Sequence, residues 1–513
     1  MKSLFKTVAL ITVFSFLTRI SGFLFRIILS RVVGAEGVGL YQVASSVFMV
    51  LLTSSGLPLI ISRMSASYLA NNDKKKEGSL ITVALIFALI MSIVLCLLVL
   101  IFKNTFSKLF TDERCIEILI VLLPSLVFSS VYCVVRGALW GRGNYFALCA
   151  TELYEQVVRI LLSMLVISST FSALANALNI GWTMSLACLL SMILVILMYF
   201  YYGGKLGKPK KSELVPLIKQ STPITFMRIA GSLLQPLIAF IIPARLVAIG
   251  YTNSQAMSLY GVAVGMTMPL LFIPTTIIGS LSTALVPDIS TAMAQNNRKH
   301  IEERINSSIF FALIISSLFV PMFLGMGEQL GLFLYDNIMS GTLLQFASWV
   351  LVPLGLTNIT SALLNSLGLE QKSFVNFLAG SVVMFVALWF LPSILGINAF
   401  IWGMGLNYLV VAWLNILLIK RKAKVNIKFS KMILKMIVLA IPSGALTAFV
   451  VSLCEYVFPL FITLCIGAVV SVVSFALLAS VLNVIDIKAV IVLLQKKINI
   501  PKFKIKKKPQ NKV

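Results

Sequence analysis

"LITVALIFALIMSIVLCLLVLI" occupies residues 80–101 and contains no charged side chain. An α-helix needs about 20 apolar residues to cross the roughly 30 Å hydrocarbon core of a bilayer, and this stretch is long enough. The rest of the chain has the same character, because 59% of its 513 residues are hydrophobic and only 12% are charged. This composition excludes a water-soluble globular domain and predicts a membrane protein that crosses the bilayer many times.

Similar apolar runs follow one another from near residue 8 to near residue 484, and we count fourteen. Only helices and closed barrels satisfy the backbone hydrogen bonds of a chain in lipid. The runs are continuous and lack the alternation of barrel strands, so the sequence predicts an all-α fold of about fourteen transmembrane helices. Their centres fall near residues 20, 52, 90, 128, 158, 190, 235, 272, 315, 353, 383, 407, 444 and 471.

Lysine and arginine collect in alternate loops of this arrangement. Short cytoplasmic loops are enriched in these residues, so the pattern predicts a protein of the cytoplasmic membrane with both termini in the cytoplasm. The net charge of +25 then describes a surface that faces anionic membrane lipid, and it does not indicate a nucleic-acid site. The clearest basic segments are residues 1–6, 71–78, 203–211 and 420–435.

Residue types that carry chemistry are scarce. The seven cysteines are scattered singly, and the one histidine, His300, lies in a basic loop. These features predict no metal site and no cofactor. The predicted external loops are too short to build a catalytic site, so the sequence also predicts that the protein is not an enzyme.

The chain contains an internal repeat. "RISG" from Arg19 recurs as "RIAG" from Arg228, and "LYQVASSVFMVLL" from Leu40 recurs as "LYGVAVGMTMPLL" from Leu259. Two further matches, around residues 58 and 287 and around 141 and 368, keep the same order. The offset of roughly 210–230 residues spans six helices. An even number of helices returns the second copy in the same orientation, so the repeat is parallel.

This repeat predicts two six-helix lobes around a central cavity, with two helices appended. The predicted boundaries are 1–205 for the first lobe, 206–425 for the second, 426–485 for helices 13 and 14, and 486–513 for a basic cytoplasmic tail. Transporters built from such repeats place substrate between the lobes and expose it to each side in turn.

Arginines interrupt the first apolar run, "TRISGFLFRIILSR" at residues 18–31. An arginine at the centre of a span costs roughly 2.5–3.5 kcal/mol. Arg19 and Arg26 are two helical turns apart and point the same way. Two interpretations remain open: structural or interfacial arginines, or a stripe that faces a water-filled cavity and holds an anion. The second gains weight because the other lobe repeats the first arginine as Arg228, and Arg63 on helix 2 is the next candidate.

The fifth apolar run carries "TELYEQVVRI" at residues 151–160. Glu155 and Arg159 have the i,i+4 spacing of an intrahelical ion pair, and Glu152 lies on the same side. The spacing predicts either a structural pair that orients the lobe or a contact with substrate or a coupling ion. Arg136, near the end of helix 4, is expected to hold the inner end of that helix.

Several of these segments resemble a known family. "RISGFLFRIILSRVVGAEGVGLYQVA", "GLPLIISR", "RGALWGRGNYF" with "EQVVRI", and "LSTALVPDIS" are similar to the stage V sporulation protein B family of polysaccharide exporters. That family belongs to the multidrug/oligosaccharidyl-lipid/polysaccharide superfamily, together with MurJ-type lipid II flippases and Wzx-type flippases. The resemblance covers nearly the whole chain.

The resemblance implies a flippase of MATE-like architecture. The expected cargo is a polyprenyl-diphosphate-linked saccharide, a peptidoglycan precursor for the spore cortex or another lipid-linked polysaccharide unit. The cationic positions of the family on helices 1 and 2 fall on Arg19, Arg26 and Arg63. The second lobe departs from the pattern, because no arginine follows Arg228 at a spacing of seven residues. Partners that such a function would use are membrane lipids, a coupling ion or the membrane potential, and cell-wall synthesis proteins.

A drug/cation antiporter is the alternative with the same architecture. Cationic drugs call for a buried carboxylate, whereas helix 1 carries arginines and no acid in its apolar run. The sequence therefore favours an anionic cargo.

Overall fold

The computed structural model describes residues 2–55, 58–294, 298–423 and 429–482. Every regular element in these ranges is a helix, so the all-α prediction is confirmed. The segment that corresponds to the predicted first lobe contains α1 (Lys2–Ser55), α2 (Pro58–Ala70), α3 (Lys74–Ile101), α4 (Lys103–Leu109), α5 (Arg114–Gly141), α6 (Tyr145–Val166) and α7 (Ala173–Tyr201).

The segment that corresponds to the predicted second lobe has a similar series of helices, with one π-helical stretch. It contains α8 (Lys211–Ser232), α9 (Leu234–Ala248), α10 (Asn253–Tyr260), a π-helix (Gly261–Thr267), α11 (Met268–Leu271), α12 (Ile273–Ala294), α13 (Arg298–Tyr335), α14 (Ile338–Ala347), α15 (Leu351–Ser366), α16 (Glu370–Phe390), α17 (Pro392–Leu395) and α18 (Asn398–Ala423). The last described helices are α19 (Phe429–Glu455) and α20 (Leu460–Val481).

By length and composition, 11 helical stretches in the described ranges could cross a membrane, or 12 if one bent pair is a single span. One of them, Leu10–Ala70, has 61 residues, which would extend about 90 Å as a straight helix. Gly34 breaks that stretch with a φ of 76°, so the stretch accounts for two spans. Helix α6 is 22 residues long, but its three charged residues remove it from the count. The structure is therefore compatible with fourteen spans.

Left-handed glycines mark equivalent turns in the two halves of the chain. Gly34 and Gly250, with φ of 76° and 107°, follow the first span of each half. Gly143 and Gly368, with φ of 74° and 69°, connect the fourth span of each half to the fifth. Only glycine adopts such a φ at little cost. The structural equivalent of Gly368 is therefore Gly143, two residues beyond the position that the sequence match paired with it.

Helices α19 and α20 pack against each other and against α13. The approach of α19 to α13 is close at Gly325, where a Cβ atom would lie 2.8 Å from the carbonyl oxygen of Gly444. The predicted boundary between residues 425 and 426 and the predicted tail 486–513 lie outside the described residues.

The packing distinguishes the two ends of the bundle. We call the end that carries residues 71–77 and 203–211 the basic end, and the opposite end, with residues 34–37 and 250–253, the far end. In the far half, one hydrophobic core joins residues of both lobes, such as Leu40 and Tyr260. In the basic half, one core takes its residues from between Ile60 and Leu217, and another takes its residues from between Ile278 and Ala479. The lobes share a core at the far end and have separate cores toward the basic end, where α8 packs on the first lobe through Leu217 and through the hydrogen bond that Tyr68 donates to Glu213.

Candidate functional site

The far end is closed by backbone packing between α1 and the second lobe. A Cβ atom on Gly39 would overlap the carbonyl oxygen of Met257, and one on Gly261 would overlap the carbonyl oxygen of Ala35. Such contact is possible only because both glycines lack side chains. Gly261 also begins the π-helix, which is fully buried. We call this contact the far-end seal.

Arg31 forms a second connection across the far end. Its Nε donates to the carbonyl oxygen of Leu334 over 2.9 Å, and its Nη2 donates to the carbonyl oxygen of Phe333. These carbonyls lie in the last turn of α13, where backbone acceptors are free and the helix dipole favours a cation. Arg31 is the last arginine of the first apolar run, and the structure shows that it joins the two lobes.

The predicted anion-binding arginines lie on three helices. Arg19 and Arg26 are exposed on α1, Arg63 is exposed on α2, and Arg228 is exposed on α8. Arg26 interacts electrostatically with Tyr41 and Arg159 of the first lobe and with Tyr335 of the second, so it lies between the lobes.

Arg228 also lies near the first lobe, although it belongs to α8. It lies within electrostatic range of the position of Cys133 on α5, as do Arg136 and Glu155. The structure therefore brings Arg228 close to the charged groups of α5 and α6. No described contact ties Arg63 to the other arginines, so its place in the site remains a prediction.

The expected ion pair between Glu155 and Arg159 is absent from the described part of the chain. Arg159 donates instead to Oε1 of Gln156 and, over 3.2 Å, to Sδ of Met184 on α7. Its guanidinium also lies 5.8 Å from the ring centroid of Phe25. The i,i+4 spacing allows the pair, but the guanidinium contacts Gln156 of the same helix and Met184 of α7 instead.

Glu152 does not pair with Arg159, which lies on the same side of α6. Its Oε2 lies 2.5 Å from Nη2 of Arg136 on α5. This ion pair links α5 to α6 within the first lobe. Arg136 was expected to hold the end of helix 4, and its contact with Glu152 agrees with that structural role.

Ion pairing separates the arginines of the first lobe into two groups. Arg142 pairs with the buried Glu77 over 2.6 Å, and Arg114 pairs with Glu36 and Asp112, over 2.7 Å in each case. Arg136 belongs to the same paired group. Within the described residues, no carboxylate lies within 4.0 Å of the other group. Its members are Arg19, Arg26, Arg31, Arg63 and Arg159, of which Arg31 donates to backbone carbonyls, and Arg228 of α8 shares this property.

A separate cavity of about 670 Å³ lies within the second lobe, among α13, α15, α18 and α19. Its lining is almost entirely apolar and includes Trp349, Trp413 and Met436. It contains none of the predicted site residues, and its chemistry does not suit an anionic group. In the described ranges, no cluster of three or more His, Cys, Asp or Glu residues suits a metal ion.

Sequence reasoning missed three residues that the structure places at this site. Tyr41, Gln156 and Tyr335 are neutral, so neither charge nor hydropathy singles them out. Gln156 lies three residues before Arg159, and that spacing on one helix face was the available signal. Tyr335 lies on α13 of the second lobe, and no sequence pattern pairs it with Arg26.

These features define a two-lobed, all-helical membrane protein that carries arginines without carboxylate partners, of which Arg26 lies between the lobes. Residues 4–293 match the model of the polysaccharide biosynthesis protein family, which is more than half of the chain. The chain belongs to this family.

Two individual proteins match a larger share of the chain than the family model does. The chain is 28% identical over 384 residues to Bacillus subtilis stage V sporulation protein B, covering 71% of this chain and 73% of that protein. It is 19% identical over 491 residues to the lipid II flippase MurJ of the same organism, covering 88% of each.

Solved structures share the fold. An inward closed MurJ aligns with a TM-score of 0.67 at 13% identity, over 92% of this chain and 98% of that one. An inward-facing multidrug resistance MATE family transporter also gives 0.67, at 17% identity, over 79% and 94% of the two chains. The predicted MATE-like architecture is confirmed.

Proposed function

We propose that the protein is a flippase that moves a polyprenyl-diphosphate-linked saccharide from the inner to the outer leaflet of the cytoplasmic membrane. The observation that carries this proposal is Arg26, which has no carboxylate partner and lies between the two lobes, on the same helix face as Arg19. A diphosphate needs charged, planar donors in a partly desolvated site, and arginine supplies them. The arginines therefore suit the headgroup of such a lipid.

The cargo that we propose is a peptidoglycan precursor for the spore cortex. The likeness to stage V sporulation protein B and to the lipid II flippase MurJ supports this choice. The polyprenyl chain would stay in lipid while the headgroup enters between the lobes. The far-end seal would then open as the lobes close at the basic end, which is the alternating access expected of such repeats.

A drug/cation antiporter is the second candidate, because a MATE transporter shares the fold. Glu155 is the carboxylate that such a transporter would use, and it has no ion-pair partner within 4.0 Å in the described ranges. However, Arg136 and Arg159 both lie within electrostatic range of Glu155. Their positive charge disfavours a cationic cargo at this carboxylate and favours the flippase.

Purified protein in liposomes tests the function directly. The assay follows flipping of a polyprenyl-diphosphate-linked muropeptide and, in parallel, uptake of a cationic dye. We expect flipping by the native protein and its loss in the Arg19→Ala, Arg26→Ala double variant at normal abundance, since removing intramembrane charge does not hinder insertion. Arg245→Ala is the control, because Arg245 packs 5.0 Å from the Trp389 ring within the second lobe. Dye uptake without flipping would instead establish the antiporter.

The same liposomes test how transport is driven. We expect an imposed membrane potential or ion gradient to change the flipping rate, because the headgroup is anionic. Equal rates with and without every gradient would exclude such coupling.

Orientation in the cell is a further part of the proposal. The basic end would face the cytoplasm and the far end the outside. Native Cys115 and Cys149 are buried and unsuitable as reporters. Cysteines at Lys208, which is exposed at the basic end, and at Tyr456, which is 89% exposed, would serve. An impermeant maleimide on intact cells should label position 456 and spare position 208, and the reverse result would invert the topology.

A further inference from the structure

Arg159 has unused hydrogen-bonding capacity inside the protein. A guanidinium carries five N–H donors, and here one contact goes to a neutral amide oxygen and another to a thioether sulfur, which is a weak acceptor. Its Nε is buried and has no partner. A cation at membrane depth without a carboxylate is costly, and such residues usually serve a function.

The backbone around Arg159 aligns it with Arg26. Gly22 of α1 lies beside Gln156 of α6, where a Cβ atom would come 3.4 Å from Nε2 of the amide. Both helices run from the basic end toward the far end. Arg26 is four residues beyond Gly22, and Arg159 is three residues beyond Gln156, so both lie about one turn further along the same two faces.

Other contacts agree with this alignment. Phe25, next to Arg26, lies under the guanidinium of Arg159. Tyr41 lies within electrostatic range of both arginines. Two cations and a phenol hydroxyl group therefore share one region, and Tyr335 of the second lobe lies within the same range of Arg26.

We propose that Arg159 and Arg26 together bind the diphosphate of the lipid-linked cargo, with Gln156 as the positioning residue that orients Arg159. This inference rests on the proposed flippase function and adds a binding residue on α6 to it. A diphosphate has two phosphate groups, so each guanidinium can take one. The pair also lies deeper than Arg19, which is two helical turns nearer the basic end. Cargo would meet Arg19 first and this pair last.

Binding of inorganic pyrophosphate to the purified full-length protein tests the assignment, with affinity measured by calorimetry and folding by thermal unfolding. We expect Arg159→Gln and Arg26→Gln each to weaken binding at least tenfold, and Arg159→Lys to recover part of the loss because it keeps the charge. The matched control is Arg245→Gln, which removes one charge elsewhere and should change affinity less than twofold. Native affinity in Arg159→Gln would overturn the assignment.

Gln156→Glu gives a second test that does not depend on removing the arginine. It places a carboxylate where Arg159 already donates, so folding should be preserved while pyrophosphate binding is lost by neutralisation. If Arg159 were structural, this variant would fold as well or better and would bind pyrophosphate normally. That outcome would contradict the proposal even if Arg159→Gln failed to fold.

Two comparisons separate the sources of failure. If Arg26→Gln loses binding and Arg159→Gln keeps it, the assignment of Arg159 is contradicted and the proposed flippase function is not. No pyrophosphate binding by the native protein would contradict the flippase function as well. A polyprenyl diphosphate in micelles should compete with pyrophosphate, and absence of competition would show a site for free anions and overturn the proposal for a lipid cargo.

Discussion

The far half of the molecule has one hydrophobic core shared by both lobes, whereas the basic half has two cores, one in the first lobe with Leu217 of α8 and one in the second lobe with α19 and α20. The far half is stabilised by contacts between the lobes, and each core of the basic half holds one body of helices together. The alternating access that we propose would therefore have to break the shared core at the far end, but it could leave the two cores of the basic half intact.

Gly39→Val should give the largest effect, because it breaks the shared core at the far-end seal. The new side chain would overlap the carbonyl oxygen of Met257, and backbone cannot yield as a flexible side chain does. We expect complete loss of flipping in liposomes, with an impermeant thiol reagent reaching the cleft from the far side. Gly279→Ala is the control, since a Cβ there meets nothing within 4 Å. A fully active Gly39→Val variant would show that the seal is not needed.

Glu77→Gln should damage the basic half instead. The Glu77 side chain is 1% exposed, and the substitution removes the carboxylate that pairs with the Arg142 guanidinium. Breaking a buried ion pair in this way costs about 3–5 kcal/mol. We expect a lower unfolding temperature with the far end still closed to thiol reagents. Replacing both residues, as Glu77→Leu with Arg142→Met, should recover part of the stability. No recovery would mean that the pair does more than neutralise charge.

Arg31→Met should have an intermediate effect on the balance between closed and open states. It removes two charge-assisted hydrogen bonds to α13, worth about 1.5–3 kcal/mol each at most. We expect thiol access from the far side to rise roughly tenfold or more, with little change in unfolding temperature. Arg245→Met, which leaves the connection between the lobes intact, should not change access. Unchanged access in Arg31→Met would assign closure to the glycine contact alone.

Asp73 should show the smallest effect, because it acts at the exposed N-terminus of α3. The backbone N–H of Lys76 donates to its carboxylate and holds the pKa of Asp73 below its usual range. The stabilisation is therefore present above the ordinary aspartate pKa of about 3.9 and is lost as the pH falls through the lower folded-state value. Asp73→Asn keeps the cap without a titrating group. We expect the stability difference between the two proteins to change only below about pH 4.

The fold was predictable because lipid permits few structures. A backbone without water must form helices or a closed barrel, so continuous hydropathy alone predicted the all-helical fold, and the repeat at Arg19 and Arg228 predicted two lobes. The arginines were also predictable as charges inside apolar runs. Their partners were not, because the i,i+4 spacing of Glu155 and Arg159 says only that the pair can form. Whether it forms depends on Gln156 and on Met184 of another helix.

The end at which the lobes join could not be predicted either. Both states of a transporter use the same spans and bury similar amounts of surface, so the choice between them depends on a small free-energy difference. The contact of Gly39 with Met257 helps to close the far end here, and it involves residues more than 200 positions apart. Small residues are common in membrane helices, and the sequence does not distinguish these glycines from others.

The far-end seal also has a consequence for the energy supply of the cell. A cytoplasmic membrane holds a proton gradient, and a flippase of the kind proposed, which passes a large headgroup, would leak protons if both ends opened at once. At Gly39 and Gly261, backbone meets backbone, and no side chain there can rotate aside to admit a chain of water molecules that would conduct protons. The seal therefore insulates the membrane for as long as the lobes are joined.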